Sequence, residues 1–174
     1  MVMEACGSSN YWSRKFMSYG HEVFQISPQH VKPFVQGNKN DKNDARAIVI
    51  AAQQDNMPTV PIKTIEQQEV QMLHRYQENL IRDRTALATR IRGYLREVGL
   101  FLVQGLSQVR KQVPLILEDA ENELTSGMRE IISSCHKKLL NLDKDIEEYT
   151  QKIEHFCKQN PVCERLIKLS ELAR

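Results

Sequence analysis

No run of apolar residues in this sequence approaches the roughly 20 that a membrane span needs. The longest, around Ile48 to Ala52, suits the core of a helix. Paired cysteines are lacking as well: Cys6, Cys135, Cys157 and Cys163 form no C-x-x-C, and no apolar signal segment opens the chain. The expectation is a soluble protein of a reducing, cytoplasmic compartment, held together without disulfides. His155, Cys157 and Cys163 match no common zinc spacing, and Asn38 to Asp44 lacks the turn Gly and closing Glu of an EF-hand loop. An excess of one charge is also missing. The 24 Lys+Arg against 22 Asp+Glu leave a net charge of +2, which by itself selects no class of partner.

What is present is charge sorted along the chain. Between His74 and Gln112 the basic residues are Arg75, Arg82, Arg84, Arg90, Arg92, Arg96, Arg110 and Lys111, against Glu78, Asp83 and Glu97. From Glu118 to Glu154 the sign reverses, giving a molecule polar in charge along its length. At 174 residues the chain fits one ordinary domain, or a small domain with an extension.

The first third alternates in character. Met1 to Ala5 is a short apolar run broken by Glu4, and Cys-Gly-Ser-Ser-Asn after it suits a strand end, a tight turn and a helix cap. Tyr11, Trp12, Phe16 and Met17 recur at helical spacing, which predicts a helix with these residues in the core; stacking of Tyr11 and Trp12 on bases is the other reading. Gly20 suits the end of that helix, and His21 to Ile26 a second strand. Pro28 and Pro33 bracket a turn or a single helical turn, a helix follows over about 41–54, and Met57 to Ile62 reads as an extended connector.

Beyond Thr64 long helices take over. Val70, Leu73, Leu80, Leu87, Ile91, Tyr94 and Val98 share one heptad seam, interrupted by Gln77 and Arg84, on a helix from near Thr64 to near Val98. Gly99 and Gly105 break it, and Pro114 is expected to end a basic linker before helix resumes near Glu118. There Met128, Ile132, Cys135, Leu139, Leu142, Ile146, Tyr149, Ile153 and Phe156 step by fours and threes without a slip. Such a seam calls for a coiled-coil partner, either the first long helix folded back as an antiparallel hairpin or a second copy of the chain. Asn160-Pro161 should end this helix.

Candidate chemistry centres on Glu4, Asp41 and Asp44. The aspartates stand at i and i+3, which puts both carboxylates on one helix face within reach of one cation. They also suit a helix start, where Asn40 or Asp41 would cap and Asp44 would favour the positive end. Glu4 lies where α/β sheets present ligands, near the carboxyl end of a strand. Mg²⁺ needs only two or three convergent carboxylates beside its waters, and two such ions about 4 Å apart can hold the attacking and leaving oxygens of a phosphodiester.

Met3-Glu4-Ala5-Cys6-Gly7-Ser8, Gly20-His21-Glu22-Val23, Pro28-Gln29-His30-Val31-Lys32-Pro33 and Gly37-Asn38-Lys39-Asn40-Asp41-Lys42-Asn43-Asp44-Ala45 carry a family resemblance. In that order they resemble the DEDD transposases of bacterial insertion sequences of the IS110 family, whose N-terminal domain is similar to the Holliday-junction resolvase RuvC. The resemblance extends through Val60-Pro61-Ile62-Lys63 and Leu115 to Asn122. It implies the fold class α/β plus all-α: an incomplete RuvC-like, RNase H-type domain over 1–62, a long-helix coiled-coil region over 63–160, and the opening of a C-terminal domain over 161–174. It implies DNA strand cleavage and transfer, with Glu4 matching the family's Glu and Asp41 and Asp44 its last two Asp, all as Mg²⁺ ligands. The family's first Asp and its catalytic Ser have no counterpart here, so the chain is expected to be a fragment truncated at both ends and inactive alone. A structured guide RNA is implied as a further partner. Arg75, Arg82, Arg90, Arg110 and Lys111 are the candidate phosphate contacts, or else part of an ordinary solvated helix face whose arginine stems cover the core. A non-enzymatic module that self-associates through the coiled coil or binds nucleic acid is the alternative.

Overall fold

The structure is a computed structural model describing residues 1–38 and 40–159. It divides into two compact units, one spanning Met1–Gln68 and the other beginning at Glu69. The readings placed on Asn160-Pro161, Cys163 and 161–174 lie outside the described residues.

The first unit is built on a three-stranded sheet of order β1 (Val2–Glu4), β2 (Phe24–Ile26) and β3 (Thr59–Val60). β1 and β2 are parallel, with Val2 opposite Phe24, Met3 opposite Gln25 and Glu4 opposite Ile26. Parallel neighbours need a crossover, supplied by helix α1 (Ser9–Ser18). β3 pairs antiparallel with β2, so the expected connector over 57–62 contributes a strand. Between β2 and β3 run α2 (Pro28–Val31), a 3₁₀ turn over Lys32–Phe34 and α3 (Asp41–Ala52).

Successive strand residues face opposite sides of the sheet, and the two sides differ. Ile26 packs with Val31 and with Ala47 and Ala51 of α3, whose small side chains let the helix lie close. Gln25, on the other side, is 1% exposed and meets α1 through Ser9 and Ser13. Its amide donates to Ser13 Oγ at 2.7 Å, and its oxygen accepts from Ser9 Oγ at 3.2 Å. This reverses the orientation expected for α1. Ser9 and Ser13 face inward, whereas Tyr11 is 56% exposed, Trp12 48% and Met17 50%. A buried glutamine needs hydrogen-bonding neighbours, and serines one helical turn apart supply them where aromatic rings cannot.

The second unit contains α4 (Ile65–Glu97, its first turn belonging to the sheet unit), α5 (Leu106–Glu118) and α6 (Ser126–Gln159). Thr64 and Gln67 form a reciprocal capping box at the start of α4: Thr64 Oγ1 accepts from the Gln67 N–H and Gln67 Oε1 from the Thr64 N–H. Gly99, at φ 75°, lets the Leu100 N–H reach back to the Leu95 carbonyl and closes the helix. Helices α4 and α6 run antiparallel side by side. Gln77 donates to Thr150 at 2.7 Å and Arg84 to Asp143 at 3.1 Å, seven residues forward on one helix and seven back on the other.

Of the seam residues expected on α6, Ile132, Leu139, Ile146 and Ile153 are buried. On α4 the buried set is Leu80, Leu87, Ala88, Ile91 and Leu95, with Tyr94 exposed. The 3.6-residue period of a straight helix drifts from a 3.5-residue repeat, and Leu95 takes the place assigned to Tyr94. Pro114 lies inside α5 rather than ending a linker. Val109 and Val113, both fully buried against Leu87, Ile91 and Leu139, hold that helix on the core. Among the described residues no helix is long and apolar enough to cross a membrane.

Candidate metal and nucleic-acid sites

Glu4 ends β1 half-buried, and its register with Ile26 puts its side chain on the face of the sheet that α3 covers. On α3, Asp44 precedes the buried Ala47 by three residues and Ala51 by seven, which places it on the same inward stripe one turn nearer the N-terminus. It too is half-buried, while Asp41 is exposed. The cap of α3 is Asn40, whose side-chain oxygen accepts from the Asn43 N–H at 2.8 Å. Neither aspartate is therefore needed to cap the helix. Among the described residues the carboxylates of Glu4, Asp41 and Asp44 have no hydrogen-bond or ion-pair partner. Both aspartates stand in the first turn of α3, where the helix dipole favours negative charge.

Three free carboxylates suit a hard divalent cation that keeps part of its water shell, as Mg²⁺ does. They do not form a closed cage. Among the described residues no group of three His, Cys, Asp or Glu side chains is gathered closely enough to hold a metal ion. The pattern Glu-strand then Asp-x-x-Asp thus brings Glu4 and Asp44 to one side of the sheet, leaves Asp41 exposed, and converges the three on no single point.

The candidate phosphate contacts fall into two groups. Arg75, Arg82, Arg90 and Lys111 are exposed. Arg82 donates to Asn79 at 2.7 Å, and Arg90 lines a groove with Asp83, Lys138 and Asp145, so its charge is locally balanced. Arg110 is otherwise engaged. Its Nε and NH2 fork onto the two carboxylate oxygens of Asp143, each at 2.6 Å, and Arg84 adds a third bond to the same group. The Arg110 hydrogen bonds hold the Asp143 carboxyl below its ordinary range, with Arg84 adding to the effect, and Asp143 in turn raises the Arg110 guanidinium. This triad joins α4, α5 and α6. Sequence reading counted Asp143 only as part of an acidic stretch; the available signal was Arg84 interrupting an apolar seam, which demands a nearby acid if the helix is paired.

The family model for IS110-type DEDD transposases, described as a transposase, matches residues 1–100. The transposase for insertion sequence element IS1111A of Coxiella burnetii is 43% identical over 166 residues, covering 95% of this chain and 46% of that protein. A probable family 20 transposase of Pseudomonas aeruginosa is 36% identical, covering 96% of this chain and 50% of its own length. The transposase for insertion sequence element IS1328 of Yersinia enterocolitica is 30% identical, with 97% and 50% covered. The chain thus spans about half the length of these relatives. No solved structure matches it.

Proposed function

Because this chain belongs to the IS110-type DEDD transposases, we propose that it is part of an insertion-sequence recombinase that cuts and transfers DNA strands, with Glu4, Asp41 and Asp44 as Mg²⁺ ligands. The observation that supports the reading is the placement of two of these acids on one face and the freedom of all three. Glu4 and Asp44 leave the sheet and α3 toward the same face, and none of the three carboxylates is consumed by the fold. Mg²⁺ held there would stabilise charge on phosphodiester oxygens during displacement. The chain's own contribution is to present the ligands: β1 fixes Glu4, and the Asn40 cap fixes the first turn of α3 without drawing on either aspartate. On this reading the sheet unit is a partial RuvC-like domain, the α4 and α6 pair a coiled coil through which copies associate, and DNA and a structured RNA the partners, in the cytoplasm.

Calorimetric titration with Mn²⁺ or Mg²⁺, comparing this chain with Asp41→Asn plus Asp44→Asn, tests the ligand assignment. Loss of binding in the double variant is the expected result. Undiminished binding would sink it and favour the non-enzymatic reading, in which the acids serve only the helix.

A further inference from the structure

Near its C-terminal end α4 carries a polar hollow of about 420 Å³, lined by Thr89, Arg92, Gly93, Arg96, Leu102 and Gln104. Its size lies within the range of small-ligand sites, roughly 300–1,000 Å³. Its charge is one-sided. Two guanidiniums and no carboxylate line it, unlike the Arg90 groove, where Lys138 is accompanied by Asp83 and Asp145. The cations are also available. Among the described residues the Arg96 guanidinium has no hydrogen-bond or ion-pair partner, and that of Arg92 has one long contact, 3.3 Å to Thr89 Oγ1. Arg110, by contrast, is already forked onto Asp143.

Position on the helix explains why these groups converge. Arg82, Thr85, Thr89, Arg92 and Arg96 follow one another at intervals of three or four residues, so all lie on one face. Gly93 contributes no side chain, and a Cβ built there would meet nothing within 4 Å; the hollow exists partly because nothing fills it. Arg92 and Arg96 are one turn apart, a rise of about 6 Å along the axis, comparable to the step between consecutive phosphates of one strand. A planar guanidinium offers paired donors to phosphate oxygens, and the Thr89 hydroxyl and Gln104 amide add neutral donors.

We propose that this hollow is a phosphate-binding site that seats two consecutive phosphates of a polynucleotide backbone on Arg92 and Arg96, with Thr89 and Gln104 completing their hydrogen bonds. It rests on the nucleic-acid reading above and assigns that contact to residues outside the set the sequence suggested. Contacts of this kind bind without reading bases.

The test is fluorescence anisotropy of the full chain with labelled single-stranded RNA, single-stranded DNA and duplex DNA across a salt series. Each neutralised phosphate contributes about 0.7 to the log–log salt slope for single strands and about 0.9 for duplex. Arg92→Gln plus Arg96→Gln should therefore weaken binding and flatten the slope by about 1.4 or 1.8 respectively. Gly93→Asp, whose Cβ has open space and which adds a carboxylate at the hollow, should weaken binding too. Lys137→Gln plus Lys144→Gln removes the same charge from exposed positions on α6 and should leave the slope as it was. Helicity by circular dichroism establishes that each variant is folded. Wild-type chain that binds no polynucleotide would overturn the nucleic-acid reading and this site with it. Wild-type binding that neither the arginine pair nor Gly93→Asp alters would overturn the site alone. Inorganic phosphate that binds the wild-type chain but not the Arg92→Gln plus Arg96→Gln variant, while strand binding is the same in both, would reassign the hollow to a free anion.

Discussion

At the scale of single residues, the fold spends one asparagine so that two aspartates need not cap a helix. Asn40 accepts the Asn43 N–H and leaves Asp41 and Asp44 free. Asn40→Ala should lower unfolding free energy by about 1 kcal/mol, read as a shifted urea midpoint, whereas Asn40→Asp should keep most of it. An unchanged midpoint in the alanine variant would remove the cap from this account. Asp143 makes a second residue-level case. Its carboxyl is depressed in the folded chain by Arg110 and then Arg84, so its contribution to stability is present above the unfolded pKa, roughly 3.9, and disappears as pH falls through the folded value. Acidification should therefore destabilise the chain more than it does Asp143→Asn, in urea titrations followed down the acid range. Parallel pH profiles for the two proteins would contradict this. The pair is only partly shielded from solvent, and its effect should weaken with added salt.

Among the elements, legibility followed the size of the apolar stripe. The seam of α6 was legible over most of its length because a long helix paired on one side must repeat its apolar positions: Ile132, Leu139, Ile146 and Ile153 are buried, whereas Met128, assigned to the same seam, is exposed. The start of α3 at Asp41 was legible from its asparagine-rich approach. α5 was missed because Pro114 was read as a stop, although Leu106, Val109, Val113 and Ile116 already marked a helical stripe. α1 was turned inside out because its core is a layer of serine and glutamine, which no hydrophobic period can reveal. The shared face of Glu4 and Asp44 depended on strand register, which the sequence did not specify. For α5 a substitution follows. Proline in a helix interior removes the bond its N–H would give to the carbonyl four residues back, here that of Arg110, at a cost of up to about 3 kcal/mol relative to alanine. Pro114→Ala should raise the urea midpoint by part of that amount, since the half-buried ring loses its contacts. A lower midpoint would mean that those contacts outweigh the missing bond.

For the molecule as a whole, the two units differ in how much they bury. The sheet unit gathers Ile26, Val31, Ala47 and Ala51 into a small cluster, while the helical unit joins Leu87, Ile91, Leu95, Val109, Val113, Ile132 and Leu139. Burial of apolar area is the dominant stabilising term, so the sheet unit should yield to denaturant first. Trp12, the single tryptophan, belongs to the sheet unit and stacks on Phe16 with ring centroids 5.9 Å apart. Most of the helix lies in α4 and α6. The chain therefore carries two separate optical reporters without any label: indole emission for the sheet unit and far-ultraviolet ellipticity for the helices. Emission should change at lower urea than ellipticity, and superimposable curves would mean that the units melt together. The outward turn of Trp12 thus gives the chain a native probe of the half that bears Glu4, Asp41 and Asp44.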